Sequence, residues 1–394
     1  MFRIYSFIAV LLMALNVSAA GVSARLDSLF NSRYTPDSPG AQFLVAVGDS
    51  IIYENARGVA DFSTGARIDA DTRFNIASIS KQFTAISVLN MANMGLLTID
   101  DCVLKYFPDF DATMFAPITL RHLMSHTSGI PDTRPRDNRN WMLTVTDSES
   151  IDYMFSLKKG KFPPGTAYDY INPTYQLLYA IIERLSGRSF VDYQRDNLFI
   201  PAGMRSTFYF DASETHSNVA HGYVKEDAEA SADRDVQKET VYADAGFADA
   251  AGRRWHEYDY GEETFFATKA DGGIYSSARD LLAWEHALAG AEVVDAESLR
   301  VAYTPHIEVT GSEWCSYQNR PFTSYGLGFF IDNTPVRPVK VYHTGDNGGF
   351  QAYLAKYPSR NVVVVLLENR NDFDRWSFAQ KVDEILKEGG ILTD

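Results

Sequence analysis

The apolar residues of this chain follow a strand-like pattern near both ends of the sequence. Gln42–Val47 and Ser50–Asn55 predict two short strands joined around Gly48-Asp49, a combination typical of a hairpin. Four further strands are predicted near the C-terminus, at Gly326–Ile331, Val339–His343, Phe350–Tyr357 and Val362–Glu368. Because the last of these is a continuous apolar run, we expect a central strand that is buried on both faces.

The residues between about 76 and 210 follow a helical pattern instead. An apolar run from Ile79 to Leu97 predicts a buried helix that ends at Gly95. Further helices are predicted at 22–32, Ile118–Met124, Tyr175–Leu185, Phe190–Asn197, Ala278–Ala289 and Phe373–Lys387. This order indicates an α/β (α+β) fold, in which an antiparallel sheet built from both chain ends is flanked by helices and carries an all-helical insertion.

The same order predicts the domain organisation. Residues 21–75 and 265–394 are expected to form the sheet-containing domain, and residues 76–264 a mainly helical domain. Within the helical domain, residues 211–263 are acidic and rich in alanine, with few aliphatic residues. We expect a long surface loop there with little packed core, which is either a lid over a site or a variable insertion.

The first 20 residues have the pattern of a secretory signal peptide. Arg3 supplies a positive charge, Ile4–Leu15 is an apolar segment, and Val17–Ala20 supplies small residues for cleavage. The apolar run is short for a membrane span, and no other stretch approaches that length. We therefore expect a periplasmic or secreted protein without a stable membrane span after cleavage.

Composition narrows the range of partners. The chain has 394 residues, of which 45% are hydrophobic, and a formal net charge of −15. A protein this acidic is poorly suited to bind nucleic acid or an anionic membrane surface. The two cysteines, Cys102 and Cys315, lie too far apart to form a disulfide signature, and we expect them to be unpaired.

Ser78 and Lys81 form the candidate catalytic pair at the start of the long apolar helix. Residues three positions apart on a helix lie on one face, so the hydroxyl and the amine can meet. Backbone N–H groups at a helix N-terminus stabilise developing negative charge, and a partly buried lysine gives up its proton more readily. The spacing alone has low specificity, because Ser156 and Lys159 repeat it.

Two further motifs follow along the chain. Tyr170-Ile171-Asn172 comes after Pro164-Gly165, and His343-Thr344-Gly345 ends a predicted strand. Tyr-x-Asn also occurs at residues 53–55 and 317–319, so each motif has little weight by itself. The prediction depends on the order of the three motifs within this arrangement of helices and strands.

In this order the three motifs resemble those of the serine β-lactamase and penicillin-binding-protein superfamily. The similarity is to its class C β-lactamases, D-alanyl-D-alanine carboxypeptidases and related esterases. It spans residues 25 to 385 and includes shorter segments at Leu123–Gly129, Phe162–Thr166, His221–Tyr223, Gly272–Ser276 and Tyr325–Gly328. The resemblance implies the β-lactamase/transpeptidase-like fold.

The resemblance also implies catalytic roles for the first two motifs. Ser78 is the expected nucleophile, which forms an acyl-enzyme. Lys81 and Tyr170 are expected to share the general-base work, and Tyr170 to hand a proton to the leaving group. Asn172 is expected to hold the Lys81 ammonium and the amide on the acyl side of the substrate.

The third motif is expected to bind the substrate. By the resemblance, His343, Thr344 and Gly345 line one wall of the cleft, and the backbone N–H groups of Ser78 and Asp346 form the oxyanion hole. A histidine with an ordinary pKa is mostly neutral at pH 7, whereas a lysine is charged. The third motif therefore gives weaker support for strong selection of a carboxylate-terminated substrate than a lysine would, which weakens the β-lactamase interpretation without removing it.

We thus expect an exported serine hydrolase that acts through an acyl-enzyme on an amide, peptide, β-lactam or ester. The substrate is a small molecule or is derived from peptidoglycan, and no metal or organic cofactor is expected. Two alternatives stay open: a carboxylesterase of the same fold, and a slow or non-catalytic sensor module that binds penicillin or muropeptides.

Other kinds of site have weak support in the sequence. There is no Gly-x-Ser-x-Gly motif of an α/β-hydrolase and no glycine-rich phosphate loop. His122 and His126 are four residues apart and can share a metal in principle, but no third ligand is evident.

Overall fold

The computed structural model describes residues 21–133, 145–211, 213–226, 246–258, 268–309, 323–335, 337–372 and 374–393. The predicted signal segment 1–20 lies outside the described residues, as do Cys315 and residues 227–245 of the predicted surface loop. Cys102 forms no disulfide with any described residue. Within the described ranges, no helix is both long and apolar enough to cross a bilayer.

The described residues form short and long strands along the whole chain. In chain order they are β1 (Ala41–Val47), β2 (Ser50–Arg57), β3 (Val59–Asp61), β4 (Ala66–Arg67), β5 (Phe74–Asn75), β6 (Phe208–Tyr209), β7 (Tyr223–Lys225), β8 (Phe247–Ala248), β9 (Arg254–Glu257), β10 (Ile274–Ser276), β11 (Ile307–Glu308), β12 (Thr323–Tyr325), β13 (Phe330–Asp332), β14 (Lys340–Asn347), β15 (Phe350–Tyr357) and β16 (Val362–Glu368).

An eight-stranded antiparallel sheet lies at the centre of the molecule, with the order β11-β12-β13-β14-β15-β16-β1-β2. Both chain ends contribute strands to it, as predicted. The apolar strand β16 is paired on both sides, since Val364 lies opposite Val45 of β1 and Ala355 of β15. All seven residues of β16 are buried, which confirms the predicted central strand.

Helices cover both faces of this sheet. They are α1 (21–31), α2 (Ser80–Asn93), α3 (Ala112–Phe115), α4 (Leu120–Met124), α5 (Asp147–Phe155), α6 (Pro173–Ser186), α7 (Phe190–Gln194), α8 (Ala278–Ala289), α9 (Ala296–Ala302) and α10 (Arg375–Glu388). The alternation along β1 divides the core, because Phe43 and Val45 pack with α1 and α10 whereas Leu44 and Ala46 pack on the other side.

The helix α2 is the centre of the helical part. Its residues from Ser80 to Leu89 are all buried, and the Phe83 ring stacks on Trp284 of α8 at 4.2 Å. The helix ends where Gly95 takes a left-handed φ of 73° and the Leu96 N–H reaches back to Met91 O, as in a Schellman cap. Each fully buried large apolar side chain of α2, such as Phe83, contributes about 1.5–3 kcal/mol to stability.

Two differences from the predictions concern the nucleophile and the predicted surface loop, and the predicted strand Gly326–Ile331 is shorter and begins later, at Phe330–Asp332. Ser78 lies on a separate 3-10 turn, Ala77–Ile79, which precedes α2 rather than belonging to it. Part of the segment expected to be a surface loop is instead a small sheet with the order β7-β9-β8, in which Trp255 is fully buried beneath Arg370. The division into a sheet domain and a helical domain stays a prediction.

Candidate active site

The turn that carries Ser78 has an unusual backbone. Ala77 takes a φ of +45°, which is uncommon for a residue with a side chain, and its N–H donates to Asn75 Oδ1 at 2.7 Å. The side-chain oxygen of Asn75 therefore holds the strained turn in place. As a result Ser78 is half-buried between two buried neighbours, Ala77 and Ile79, and part of its surface reaches solvent.

Lys81 lies one turn further on, in the first turn of α2, and is completely buried. Its Nζ donates to Ser78 Oγ at 3.0 Å and to the backbone oxygen of Asp271 at 2.9 Å. The distance to Ser78 is within the range needed for proton transfer. The structure therefore brings together the two residues that the Ser-x-x-Lys spacing predicts.

The Tyr170 ring lies near the same amine, and Asn172 follows two residues later in the chain. The Lys81 Nζ lies 4.9 Å from the centre of the Tyr170 ring and 5.7 Å from that of Tyr175 on α6. Asn172 immediately precedes α6, and its buried Oδ1 accepts no hydrogen bond from any described residue. Because a buried acceptor without a donor is costly, this oxygen is available to an N–H group that enters the site.

The third motif lies on the part of β14 that faces Ser78. Strand β13 pairs with β14 only as far as Tyr342, so residues 343–347 have β15 on one side and the turn Ala77–Ile79 near the other. A Cβ on Gly345 would overlap the carbonyl oxygen of Ile76. A glycine is therefore required for the strand to approach the turn, and Asp346 is the next residue of the strand.

His343 is held in a neutral state. Its Nδ1–H donates to Thr344 O at 2.7 Å, and its Nε2 lies 3.1 Å from the hydroxyl of Tyr325, which donates to it. Burial, followed by the positive charge of Lys81, lowers the pKa of the ring to about 3. His343 thus offers no positive charge to a substrate at neutral pH.

The Asp346 side chain points away from Ser78, toward the start of α10. Its carboxylate binds the guanidinium of Arg375, which also donates to Gly345 O at 2.7 Å. Arg375 therefore fixes the two residues that lie beside the nucleophile. The role that the sequence predicts for Asp346 concerns its backbone N–H rather than this carboxylate, and it stays a prediction.

Three contributors to this site had no role in the sequence analysis: Arg375, Tyr325 and the carbonyl oxygen of Asp271. Tyr325 belongs to a segment that carries the resemblance, and Asp271 directly precedes another, Gly272–Ser276, which was the available signal. A backbone carbonyl has no side-chain signature, and Arg375 comes from a distant helix. Within the described residues, no group of three or more His, Cys, Asp or Glu side chains is arranged to hold a metal ion.

Comparison with known proteins places this site in a family. The family model described as Beta-lactamase matches residues 26–382. Penicillin-binding protein 4* of Bacillus subtilis is 26% identical over 358 residues, covering 88% of this chain and 72% of the relative. A D-aminopeptidase of Cereibacter sphaeroides is 28% identical over 84% of this chain, and the match spans 57% of that longer protein.

A solved structure supports the same assignment at the level of the fold. The penicillin-binding protein from Bacillus halodurans superposes with a TM-score of 0.70 at 22% sequence identity, covering 92% of this chain and 99% of that one. The family match extends over most of the chain and includes each of the three motifs. The chain therefore belongs to the Beta-lactamase family of serine hydrolases.

Proposed function

We propose that this protein is a serine acyl hydrolase in which Ser78 forms a covalent acyl-enzyme with an amide or ester substrate. The observation that carries the proposal is the 3.0 Å contact between the buried Lys81 Nζ and the partly exposed Ser78 Oγ. An amine at this distance activates a hydroxyl as a nucleophile. Tyr170, beside the same amine, is the second member of the proton-transfer pair.

The acylation step transfers one proton and exchanges one bond. The pair formed by Lys81 and Tyr170 takes the Ser78 proton as Oγ attacks the substrate carbonyl carbon. The resulting oxyanion is stabilised by the backbone N–H groups of Ser78 and Asp346, a contribution worth about 10²–10³ in turnover per donor. When the bond to the leaving group breaks, Tyr170 returns the proton to the departing nitrogen or oxygen.

Deacylation repeats these steps with water. The same pair takes a proton from a water molecule, whose oxygen attacks the acyl carbon, and the proton then returns to Ser78 Oγ as the ester bond breaks. Asn172 Oδ1 accepts an N–H group on the acyl side of the substrate, because that buried oxygen otherwise accepts no hydrogen bond from the described residues.

The charges of the cleft bear on the substrate class. His343 is neutral and Arg375 is bound to Asp346, so neither residue offers a free cation to a carboxylate beside the scissile bond. We therefore propose that esters, and amides without a neighbouring carboxylate, are turned over faster than β-lactams or peptides that end in a free carboxylate. This proposal includes the carboxylesterase alternative.

The first test compares two serines of the same chain. Ser78→Ala is expected to abolish hydrolysis of a p-nitrophenyl ester and of a D-alanine p-nitroanilide, because the hydroxyl is the atom acylated. Ser156→Ala is the matched control, since Ser156 heads the second Ser-x-x-Lys motif but its hydroxyl is exposed and donates to the nearby Tyr153 O at 2.9 Å. Hydrolysis that survives in the Ser78→Ala protein would overturn the proposal.

Intact mass after mixing with a penicillin separates the remaining alternatives. A lasting adduct on Ser78 without turnover of any ester or amide indicates the sensor module. Hydrolysed drug in the supernatant indicates a β-lactamase. Intact drug together with ester or amide turnover is the result we expect, because neither His343 nor Arg375 offers a free positive charge to the carboxylate of the drug.

We also propose that the protein is exported, to the periplasm or the medium, on the basis of the charged, apolar and small-residue pattern in residues 1–20. N-terminal sequencing of protein expressed from the full chain tests this point. We expect a mature terminus directly after Ala19 or Ala20, and an intact Met1 in the folded protein would contradict it.

A further inference from the structure

His126 lies directly behind Tyr170, although the proposed mechanism gives it no part. Its ring is buried and packs against the Tyr170 ring with centroids 4.1 Å apart and planes 32° from parallel. Its Nε2 makes no hydrogen bond with any described residue, and Tyr175 and Tyr325 surround the ring at 5.2 and 5.0 Å. A buried polar ring in this place needs a physical reason.

His126 accepts hydrogen bonds from the residues on either side of Tyr170 in the chain. The N–H of Asp169 donates to the His126 carbonyl oxygen at 2.9 Å, and the N–H of Ile171 donates to His126 Nδ1 at 3.2 Å. The residues immediately before and after Tyr170 are thus both held by one residue. The side-chain bond needs an acceptor at the Nδ1 position, which an apolar side chain lacks.

The residues after His126 hold the rest of the same loop. The Gly165 N–H donates to Thr127 O at 2.8 Å, and the Lys161 N–H donates to Gly129 O at 2.7 Å. The segment 161–171 therefore lies along residues 126–129 and is hydrogen-bonded to them. His126 holds the end of that segment that carries Tyr170.

The backbone and the charge state of His126 agree with this arrangement. Its φ of +56° lies in the left-handed region, which is uncommon for a residue other than glycine or asparagine. Burial, together with the charge of Lys81 and the proximity of His343, holds the pKa of the ring well below its usual range. Nδ1 consequently stays an acceptor at neutral pH, and the ring adds no charge beside Lys81.

We propose that His126 is a positioning residue, which fixes Tyr170 for proton transfer by accepting the Ile171 N–H through Nδ1. The inference rests on the proposed function, because it concerns the tyrosine of that mechanism. It also gives a role to His126, which is named individually above only as half of a candidate metal-binding pair. His122, the other member of that pair, accepts the Thr119 N–H through its own Nδ1 at 3.1 Å.

Two substitutions separate the acceptor from the ring. His126→Phe keeps an aromatic ring against Tyr170 but removes the acceptor, and we expect kcat for a p-nitrophenyl ester to fall about 10²-fold with KM nearly unchanged. His126→Asn keeps an acceptor near the Nδ1 position and tolerates the left-handed φ. We expect His126→Asn to retain more than about a tenth of the wild-type kcat.

A double-mutant cycle with Tyr170→Phe shows whether His126 acts through the tyrosine. If it does, His126→Phe has almost no further effect once the Tyr170 hydroxyl is gone, because coupled residues are not additive. An equal loss of kcat in both backgrounds would overturn the inference, as would a wild-type kcat for His126→Phe. Folding of each variant is checked by thermal melting.

A second comparison covers the case in which His126→Phe does not fold. His126→Gln places its amide one carbon further out and misses the Ile171 N–H, so it should be clearly slower than His126→Asn. Equal rates for these two variants would also overturn the inference. Activity of the Ser78→Ala protein would instead bring down the proposed function, so the two failures are distinguishable.

Discussion

Lys81 combines complete burial with a position beside the nucleophile. An ammonium group removed from water costs several kcal/mol unless it is compensated. Here the compensation consists of the Asp271 carbonyl oxygen at 2.9 Å and the faces of two aromatic rings, Tyr170 and Tyr175. The side chain is therefore placed for chemistry rather than for stability, since an apolar side chain of similar length fits a buried site at lower cost.

We predict that Lys81→Met separates function from stability. Acylation by a p-nitrophenyl ester, followed in a single turnover, should slow at least about 10³-fold, because the base and the partner of Ser78 are lost. The melting temperature should stay unchanged or rise, because methionine needs no compensation for a buried charge.

Lys159→Met is the matched control for this prediction. Lys159 belongs to the second Ser-x-x-Lys motif and is exposed in the segment after α5, so its replacement should leave both acylation and melting unchanged. If Lys81→Met instead lowers the melting temperature by many degrees, its loss of activity would come from unfolding, and the prediction that function and stability separate would be wrong.

At the scale of residues, the sequence predicts the candidate residues of the site by motif, but not the residues that hold them in place. Ser78, Lys81, Tyr170 and the His343 segment were found because their short spacings are visible in the chain. The contact of Arg375 with Asp346 joins two elements 29 residues apart, and no spacing rule applies to it. Likewise, the use of the His126 ring as a backbone acceptor depends on a loop conformation that no local pattern specifies.

At the scale of elements, the site depends on how closely β14 approaches the turn Ala77–Ile79. The strand loses its β13 partner after Tyr342, and from there its neighbours are β15 and the turn. Gly345 sets the separation, because it has no Cβ to meet the Ile76 carbonyl oxygen. The proposed oxyanion donors, the N–H groups of Ser78 and Asp346, come from both elements, so this separation would determine whether they converge on one oxygen.

We predict that Gly345→Ala disables the oxyanion hole. The new methyl group must push β14 away from the turn, and acylation should slow about 10²–10³-fold, the effect of losing one donor. The pre-steady-state burst with a p-nitrophenyl ester measures this rate. Binding of the substrate, read from KM, should change much less.

The control for this prediction is Gly21→Ala, because a Cβ on Gly21 meets no atom within 4 Å and the residue has no left-handed φ. That variant should be indistinguishable from wild type. A Gly345→Ala protein with a wild-type burst would show that β14 and the turn are not in the close contact described above.

The predicted and observed elements agree best where burial and periodicity act together. Strands β15 and β16 and helix α8 have the predicted limits. Strand β14 instead extends to Asn347, past the predicted end at His343, because pairing with β15 overrides the low strand preference of Gly345, Asp346 and Asn347. The sheet around Trp255 was missed because its strands are short and set in an acidic, alanine-rich segment.

At the scale of the whole molecule, two buried carboxyl groups link stability to pH. Burial raises the pKa of Asp147 to about 7 and that of Glu368 to about 7, above the values of an unfolded chain. Between about pH 4 and pH 7 the native state therefore holds two protons that the unfolded state has released. Stability from these groups is complete below the unfolded pKa values near 4 and is lost as pH rises from there to about 7, by roughly 3–4 kcal/mol per group.

We predict that Glu368→Gln reduces this pH dependence. The neutral amide still accepts the bond from Tyr34, which Glu368 accepts at 2.7 Å, but it has no charge to bury. Chemical denaturation should show little change at pH 5 and a gain of roughly 1–3 kcal/mol at pH 8.5 relative to wild type.

Glu384→Gln is the control, because it removes the same charge from an exposed position on α10. It corrects for the general relief of repulsion in a chain of net charge −15. Equal stabilisation by both substitutions at pH 8.5 would show that net charge, rather than burial of Glu368, causes the pH dependence.

The pairing of β1 with β16 determines when this protein can finish folding during its synthesis. Strand β1 leaves the ribosome long before its inner neighbour, Val362–Glu368, is translated. Until then β1 has only β2, and an isolated hairpin is marginally stable in water. The nascent chain thus stays open through most of translation, a state in which it can still be threaded through a narrow channel.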